Sequence, residues 1–199
     1  KLRVFINLLK ISLIILFVAI ISFFKNEYAF ASQFKFTKVK NLNSPWGMSF
    51  INDNEIIITE QTGKLILVNL INGEKNSIAH NLKFIKIGQG GLLDIIHRKN
   101  FLWIAYTEIR EEWEISGFSG ITTSTSIARG KLNRKKINFK NIFQAEPPLE
   151  APQHYGSRLE IKDDYLFASI GERGEGMIAQ DGTKHPGSII RIYTDGGIP

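Results

Sequence analysis

The 199-residue chain has no cysteine. That excludes a disulfide framework and thiolate metal sites, so stability has to come from a packed core. It also lacks amphipathic helices: after residue 35 no stretch combines a helical period with caps. No Lys/Arg block interleaved with aromatics is present, which excludes a nucleic-acid surface. His80, His97 and His185 are too scattered to form a metal cluster. Long apolar runs are absent with one exception, Ile11–Phe24, which is almost wholly apolar and carries no charge.

That run follows Lys1, Arg3 and Lys10 and precedes Ala29-Phe30-Ala31. A basic region, an apolar stretch and small residues at a cleavage position are the parts of a secretory signal, read here as residues 1–31. The rival reading is a retained membrane anchor over residues 4–24, a length close to the roughly 20 residues a span needs but interrupted by Lys10. Without residues 1–31 the formal net charge falls from +6 to +3, so much of the basic character belongs to this segment. No Met precedes Lys1, so the start of the reading frame is expected to lie upstream.

From residue 32 onward the pattern is β. Glu55–Thr59 and Lys64–Leu70 are β-branched runs joined through Glu60-Gln61-Thr62-Gly63, and Asn72-Gly73 marks the next turn. Phe101–Thr107 and Ser124–Leu132 form a second pair across a polar loop. Tyr165–Ile170 and Ser188–Tyr193 form a third. Each pair opens on a polar turn, at Asn52-Asp53-Asn54, Arg98-Lys99-Asn100 and Lys162-Asp163-Asp164. Such spacing is close to that of propeller blades, although a sandwich also yields many short strands. The reading is an all-β propeller domain over residues 32–199. At ~45 residues per blade this length makes three to four blades, short of the four to eight that close a ring. The chain is therefore read as the N-terminal part of a longer protein.

Two clusters stand apart from the strands. Gly88-Gln89-Gly90-Gly91-Leu92-Leu93-Asp94 lets backbone approach a ligand, and Gln89 offers both a donor and an acceptor. It reads equally as a tight turn between blades. Pro152-Gln153-His154-Tyr155-Gly156-Ser157-Arg158-Leu159 places a histidine at the entrance to a strand. His154 there is either a structural residue or a general base working near neutral pH. Arg158 either steers an anionic ligand, as a cofactor-binding residue, or pairs with a carboxylate.

Taken in order, Ser44–Met48 (SPWGM), Thr59–Leu65 (TEQTGKL), Gly88–Asp94 (GQGGLLD), His154–Leu159 (HYGSRL), Ala179–Asp181 (AQD) and Asp195–Pro199 (DGGIP) resemble the glucose/sorbosone dehydrogenase family. These are the soluble PQQ-dependent aldose sugar dehydrogenases, and the match spans about residues 44–199. The resemblance implies a six-bladed β-propeller in the periplasm. It implies pyrroloquinoline quinone (PQQ) held with Ca²⁺ over the central channel, and an aldose oxidised at C1 to the lactone. A soluble or membrane acceptor would then take the electrons. By the same resemblance His154 is the base that removes the anomeric proton while hydride leaves C1 for the quinone C5 carbonyl. Gln89 stands near cofactor and substrate, and Glu172 is an acidic residue near the substrate. Gly187-Ser188 replaces the family's Gly-Lys pair, and Gln153 replaces an acidic residue found in some members. The family's calcium-holding carbonyls and further basic cofactor ligands would lie beyond Pro199. The 199 residues alone are thus expected neither to close a ring nor to turn over sugar. A different reading is a non-enzymatic cell-envelope propeller that binds a glycan or protein partner, and a third is a Ca²⁺-dependent propeller lactonase.

Overall fold

The computed structural model describes residues 41–199. The proposed signal or anchor, residues 1–31, lies outside the described residues, as do residues 32–40 of the β domain. Among the described residues no helix is long and apolar enough to cross a membrane.

The described chain is built from three antiparallel sheets. The first holds β1 (Pro45–Asn52), β2 (Glu55–Glu60), β3 (Lys64–Asn69) and β4 (Lys75–His80) in that order. The second holds β5 (Leu92–Arg98), β6 (Phe101–Ile115), β7 (Phe118–Lys131) and β9 (Phe139–Gln144). A two-residue strand between the last two, β8 (Lys136–Ile137), pairs parallel with β4 and links the two sheets. The third holds β10 (Gly156–Lys162), β11 (Tyr165–Ile170) and β12 (Ile189–Tyr193). The three polar turns join the first and second strands of each sheet, with Lys99 (φ 56°) and Asp163 (φ 54°) left-handed at two of them. Three blade-like sheets agree with the expected propeller architecture.

The core explains why the central strands read as continuous apolar runs. Ile57, Leu65, Leu67 and Ile78 of the first sheet meet Leu92, Ile95, Leu102 and Ile104 of the second. On the other face Leu93, Trp103, Ala105 and Ile127 meet Leu159, Leu166, Ala168 and Ile192 of the third. Successive side chains on a strand point to opposite faces, so a sheet covered on both sides needs apolar residues at every position. Full burial of each such side chain is worth roughly 1.5–3 kcal/mol.

The polar connection expected between Thr107 and Ser124 is not a loop. β6 and β7 continue as a two-stranded ribbon as far as the pair Ile115↔Phe118, with a register shift between Ile109 and Glu111. Ser116 (φ 51°) and Gly117 (φ 82°) make the tight turn at its tip. Beyond the sheet stack neither face of the ribbon is buried in a core, so its sequence lacks the apolar alternation that marks the other strands. β4 escaped the sequence reading for a similar reason, with only Ile78 fully buried along its length.

Each sheet has a register shift at the start of its first strand: between Pro45 and Met48, between Leu92 and Ile95, and between Gly156 and Leu159. Bulges re-aim side chains, and here they turn Asp94 toward the neighbouring strand. Its buried carboxylate accepts a hydrogen bond from the Leu159 N–H at 2.8 Å and meets the Arg158 guanidinium at 3.3 Å. On the other side the Thr59 hydroxyl donates to the Leu93 carbonyl at 2.5 Å, tying the first sheet to the second. Asp94→Ala leaves the Leu159 N–H buried without its acceptor. Urea unfolding is expected to show a loss of about 1–3 kcal/mol.

Candidate active site

The loop between the first and second sheets and the loop leading into β10 hold one another. The Gln89 N–H donates to the Pro152 carbonyl at 2.9 Å, and the Gln61 side-chain amide donates to the Gln89 carbonyl at 2.7 Å. Gly88 is left-handed (φ 49°) and lies so close to the Pro152 carbonyl that a Cβ would collide with it. The Gln89 side-chain oxygen accepts the His154 N–H at 2.9 Å. Gln89 is therefore both the tight turn and part of the cluster.

His154 itself is left-handed (φ 52°), an uncommon state for a residue with a side chain. It is gripped from both ends. Gln89 holds its N–H, and the backbone at Gly171 packs against its carbonyl so closely that a Cβ on Gly171 would overlap that oxygen. This backbone aims the imidazole at Glu172. His154 Nδ1 hydrogen-bonds to Glu172 Oε1, which also accepts the Gly174 N–H at 3.1 Å. The bond with His154, then backbone N–H groups, hold the Glu172 carboxyl below its ordinary pKa. A carboxylate on Nδ1 fixes the tautomer in which Nδ1 carries the proton and Nε2 offers a lone pair. The histidine side chain is 51% exposed, so that second nitrogen is accessible to a ligand.

Next to Glu172, Arg173 turns the opposite way and is only 2% exposed. It has no carboxylate partner among the described residues. Its Nε donates to the Gln153 carbonyl at 2.9 Å, one terminal nitrogen to the Thr123 carbonyl at 2.9 Å, and the other to the Thr123 hydroxyl at 2.7 Å. That second nitrogen also reaches the Leu149 carbonyl at 3.3 Å and the Ala151 carbonyl. The guanidinium lies 3.8 Å from the centre of the Tyr155 ring. Burial pulls its pKa below that of a free guanidinium.

Gln89, His154 and Glu172 thus come together, and the fourth residue singled out in the sequence, Arg158, does not join them by any contact. Its guanidinium rests on Asp94 and borders an open cleft of about 410 Å³, lined also by Trp46, Gly156, Ser157 and Ser169. Two other histidines are structural. His80 Nε2 donates to the Gly63 carbonyl at 2.9 Å while Nδ1 accepts the Leu82 N–H, and His185 Nδ1 accepts the Glu146 N–H at 2.8 Å. Sequence reasoning missed Arg173 and Thr123. The only local signal was an arginine in a Gly-flanked turn beside an acid, because carbonyl acceptors carry no residue-type signature.

Blade-like sheets whose connecting loops bring together a histidine–carboxylate pair place the chain in the propeller class. The particular family follows from comparison with known proteins. A family model described as "Glucose / Sorbosone dehydrogenase" matches residues 42–199, and the chain belongs to that family. It is 30% identical over 175 residues to the aldose sugar dehydrogenase YliI of Escherichia coli K12, covering 79% of this chain and 43% of that protein. It is 23% identical over 207 residues to quinoprotein glucose dehydrogenase B of Acinetobacter calcoaceticus, covering 87% of this chain and 42% of that one. The crystal structure of the apo-form E. coli soluble aldose sugar dehydrogenase superposes with a TM-score of 0.70 at 28% identity, over 79% of this chain and 46% of that chain. The chain spans about half the length of the relatives it matches.

Two measurements check this geometry. Gly171→Ala forces the His154 carbonyl away, and the strain is expected to lower stability by about 1–3 kcal/mol in thermal or urea unfolding. By NMR, the Glu172 carboxyl is expected to titrate below the 4.5 of a free glutamate. Because that pKa is depressed, the pair persists above the free value and is lost as pH falls through the depressed one. In His154→Ala the midpoint is expected to move back up.

Proposed function

We propose that the protein carrying this chain is a periplasmic, PQQ-dependent dehydrogenase that oxidises an aldose at C1 to the lactone. The observation that carries the reading is the His154–Glu172 pair, held beside Gln89 with Nε2 free of any partner among the described residues. Removing a proton from a sugar hydroxyl needs a base in a fixed tautomer and open to the substrate, and this pair supplies both. Membership in the glucose/sorbosone dehydrogenase family and the name of the Acinetobacter quinoprotein support the choice of sugar and quinone.

The donors present suit the reacting edge of such a quinone. The Gln89 oxygen is engaged on His154, which leaves its amide N–H groups to face a carbonyl or hydroxyl. Of the guanidinium groups nearby, Arg173 is buried and taken up by carbonyls, whereas Arg158 is 78% exposed with one terminal nitrogen 3.3 Å from Asp94. The remaining Arg158 donors are proposed to meet a carboxylate of the cofactor. When bound, the quinone supplies the two-electron acceptor. His154 Nε2 receives the anomeric proton, Glu172 stabilises the resulting imidazolium, and Gln89 orients the reacting groups. Calcium belongs to the proposal only through the family. No group of three or more His, Asp or Glu among the described residues is arranged to hold a metal. The natural electron acceptor is proposed to be a soluble or membrane carrier. Export through residues 1–31 is part of the same reading, and N-terminal sequencing of the mature protein checks cleavage after Ala31.

The test is dye reduction by the full-length protein with PQQ, Ca²⁺ and a panel of aldoses. Absence of reduction by a folded, PQQ-saturated protein sinks the dehydrogenase reading in favour of a binding propeller. With activity present, His154→Ala is expected to lower the rate by about 10²–10⁴, and a loss smaller than tenfold removes His154 from the role of base.

A further inference from the structure

We infer that Arg173 is the positioning residue that sets the His154–Glu172 pair. The inference rests on the reading of His154 as the base, and it assigns Arg173 a task beyond filling the interior.

Arg173 adjoins both members of the pair without touching either side chain. Its Nε holds the carbonyl of Gln153, the residue immediately before His154. Its own backbone, left-handed at φ 60°, is continuous with Glu172, so anchoring the guanidinium inward fixes where the Glu172 carboxylate emerges. The remaining donors bind Leu149 and Ala151, earlier in the same irregular approach to His154, and Thr123 on β7, which belongs to the packed middle sheet. The loop is thereby referenced to the sheet stack through one side chain. Thr123 also bonds the Tyr155 hydroxyl at 2.9 Å, and the Tyr155 ring lies under the guanidinium, so the residue after His154 is held by the same group.

The chemistry is specific to arginine. A buried cation without a carboxylate is costly, and it is tolerated here because carbonyl dipoles and an aromatic face surround it. A planar fork with five N–H donors spans acceptors on both Thr123 and the 149–153 segment, whereas a lysine ammonium has three donors at one point. Simple space-filling would call for an apolar side chain. The directions of the donors call for a device that fixes loop geometry.

The experiment reads the pair itself in the intact chain and needs neither cofactor nor sugar, so its failure is distinguishable from failure of the dehydrogenase reading. Arg173→Met and Arg173→Lys are compared with wild type and His154→Ala, following the Glu172 carboxyl titration and the His154 Nδ1–H resonance by NMR, with thermal melting as the control for folding. The expected result is a folded Arg173→Met variant whose Glu172 midpoint rises to that of His154→Ala and whose Nδ1–H signal is lost. Arg173→Lys is expected to lose the pair as well, and added guanidinium ion is expected to restore the signal in Arg173→Met. A folded variant with the Glu172 midpoint and Nδ1–H signal of wild type overturns the assignment. Loss of fold in both Arg173 variants overturns it too, because the residue would then serve the sheet stack as a whole.

Discussion

Leu92 and Leu93 are neighbours on one strand, both fully buried, and each belongs to a different core. The middle sheet is therefore clamped between its two neighbours, and the remaining geometry depends on that clamp. With both faces committed, β5 cannot slip by one residue without exchanging its two sets of side chains. The start of β5 is thus fixed relative to the other sheets, and with it the Gln89 turn that precedes it. Thr59 and Asp94 reinforce the alignment by binding the backbone of the adjoining sheets.

A site built from loops on such a scaffold faces a second constraint. Residues 145–155 follow no ladder beyond the single bridge Thr123↔Leu149, yet they run over a packed interior where unpaired carbonyls are expensive. Arg173 answers much of that demand from one side chain, and Gln89, Gly88 and Gly171 hold the other end of the segment. The left-handed backbone of His154 is sustained by this surrounding structure, in the manner of strain held at functional positions. The placement of the His154 imidazole is thus a property of the loops' backbone bonding as much as of the side chain itself.

The pair that results is open to ligand, with a carboxylate of lowered pKa behind an accessible imidazole. Propellers serve many functions, so the fold alone would not choose among them. The chemical reading comes from the direction of His154 Nδ1, since an imidazole turned to a backbone carbonyl, as His80 is, would have no anionic partner to stabilise its charged form. The family assignment supplies the sugar and the quinone of the proposal, and the local geometry adds an accessible imidazole backed by a carboxylate.

Much of this was legible in the sequence. Runs such as FLWIAYT and YLFASI declare buried strands by composition, and recurring polar turns declare the repeat. Gln89 and His154 stood out by residue type and position with a structural role still open, and Glu172 was marked only by the family resemblance of the ordered motifs. What escaped was whatever depends on contacts between distant segments. The ribbon of β6 and β7 lies outside the stack and has no core-facing pattern to read. Arg158 had two open roles, and only the bulge that turns Asp94 toward it brings a carboxylate to its guanidinium. Arg173 bonds mainly to backbone carbonyls, which are identical in every residue. The sequence by itself determined the β character and the repeat, because those follow from side-chain chemistry and period, and its ordered motifs pointed to the residues of the candidate site through their resemblance to a family. Only the tertiary structure decided which side chains meet, because meeting requires loops from different sheets to arrive at the same place.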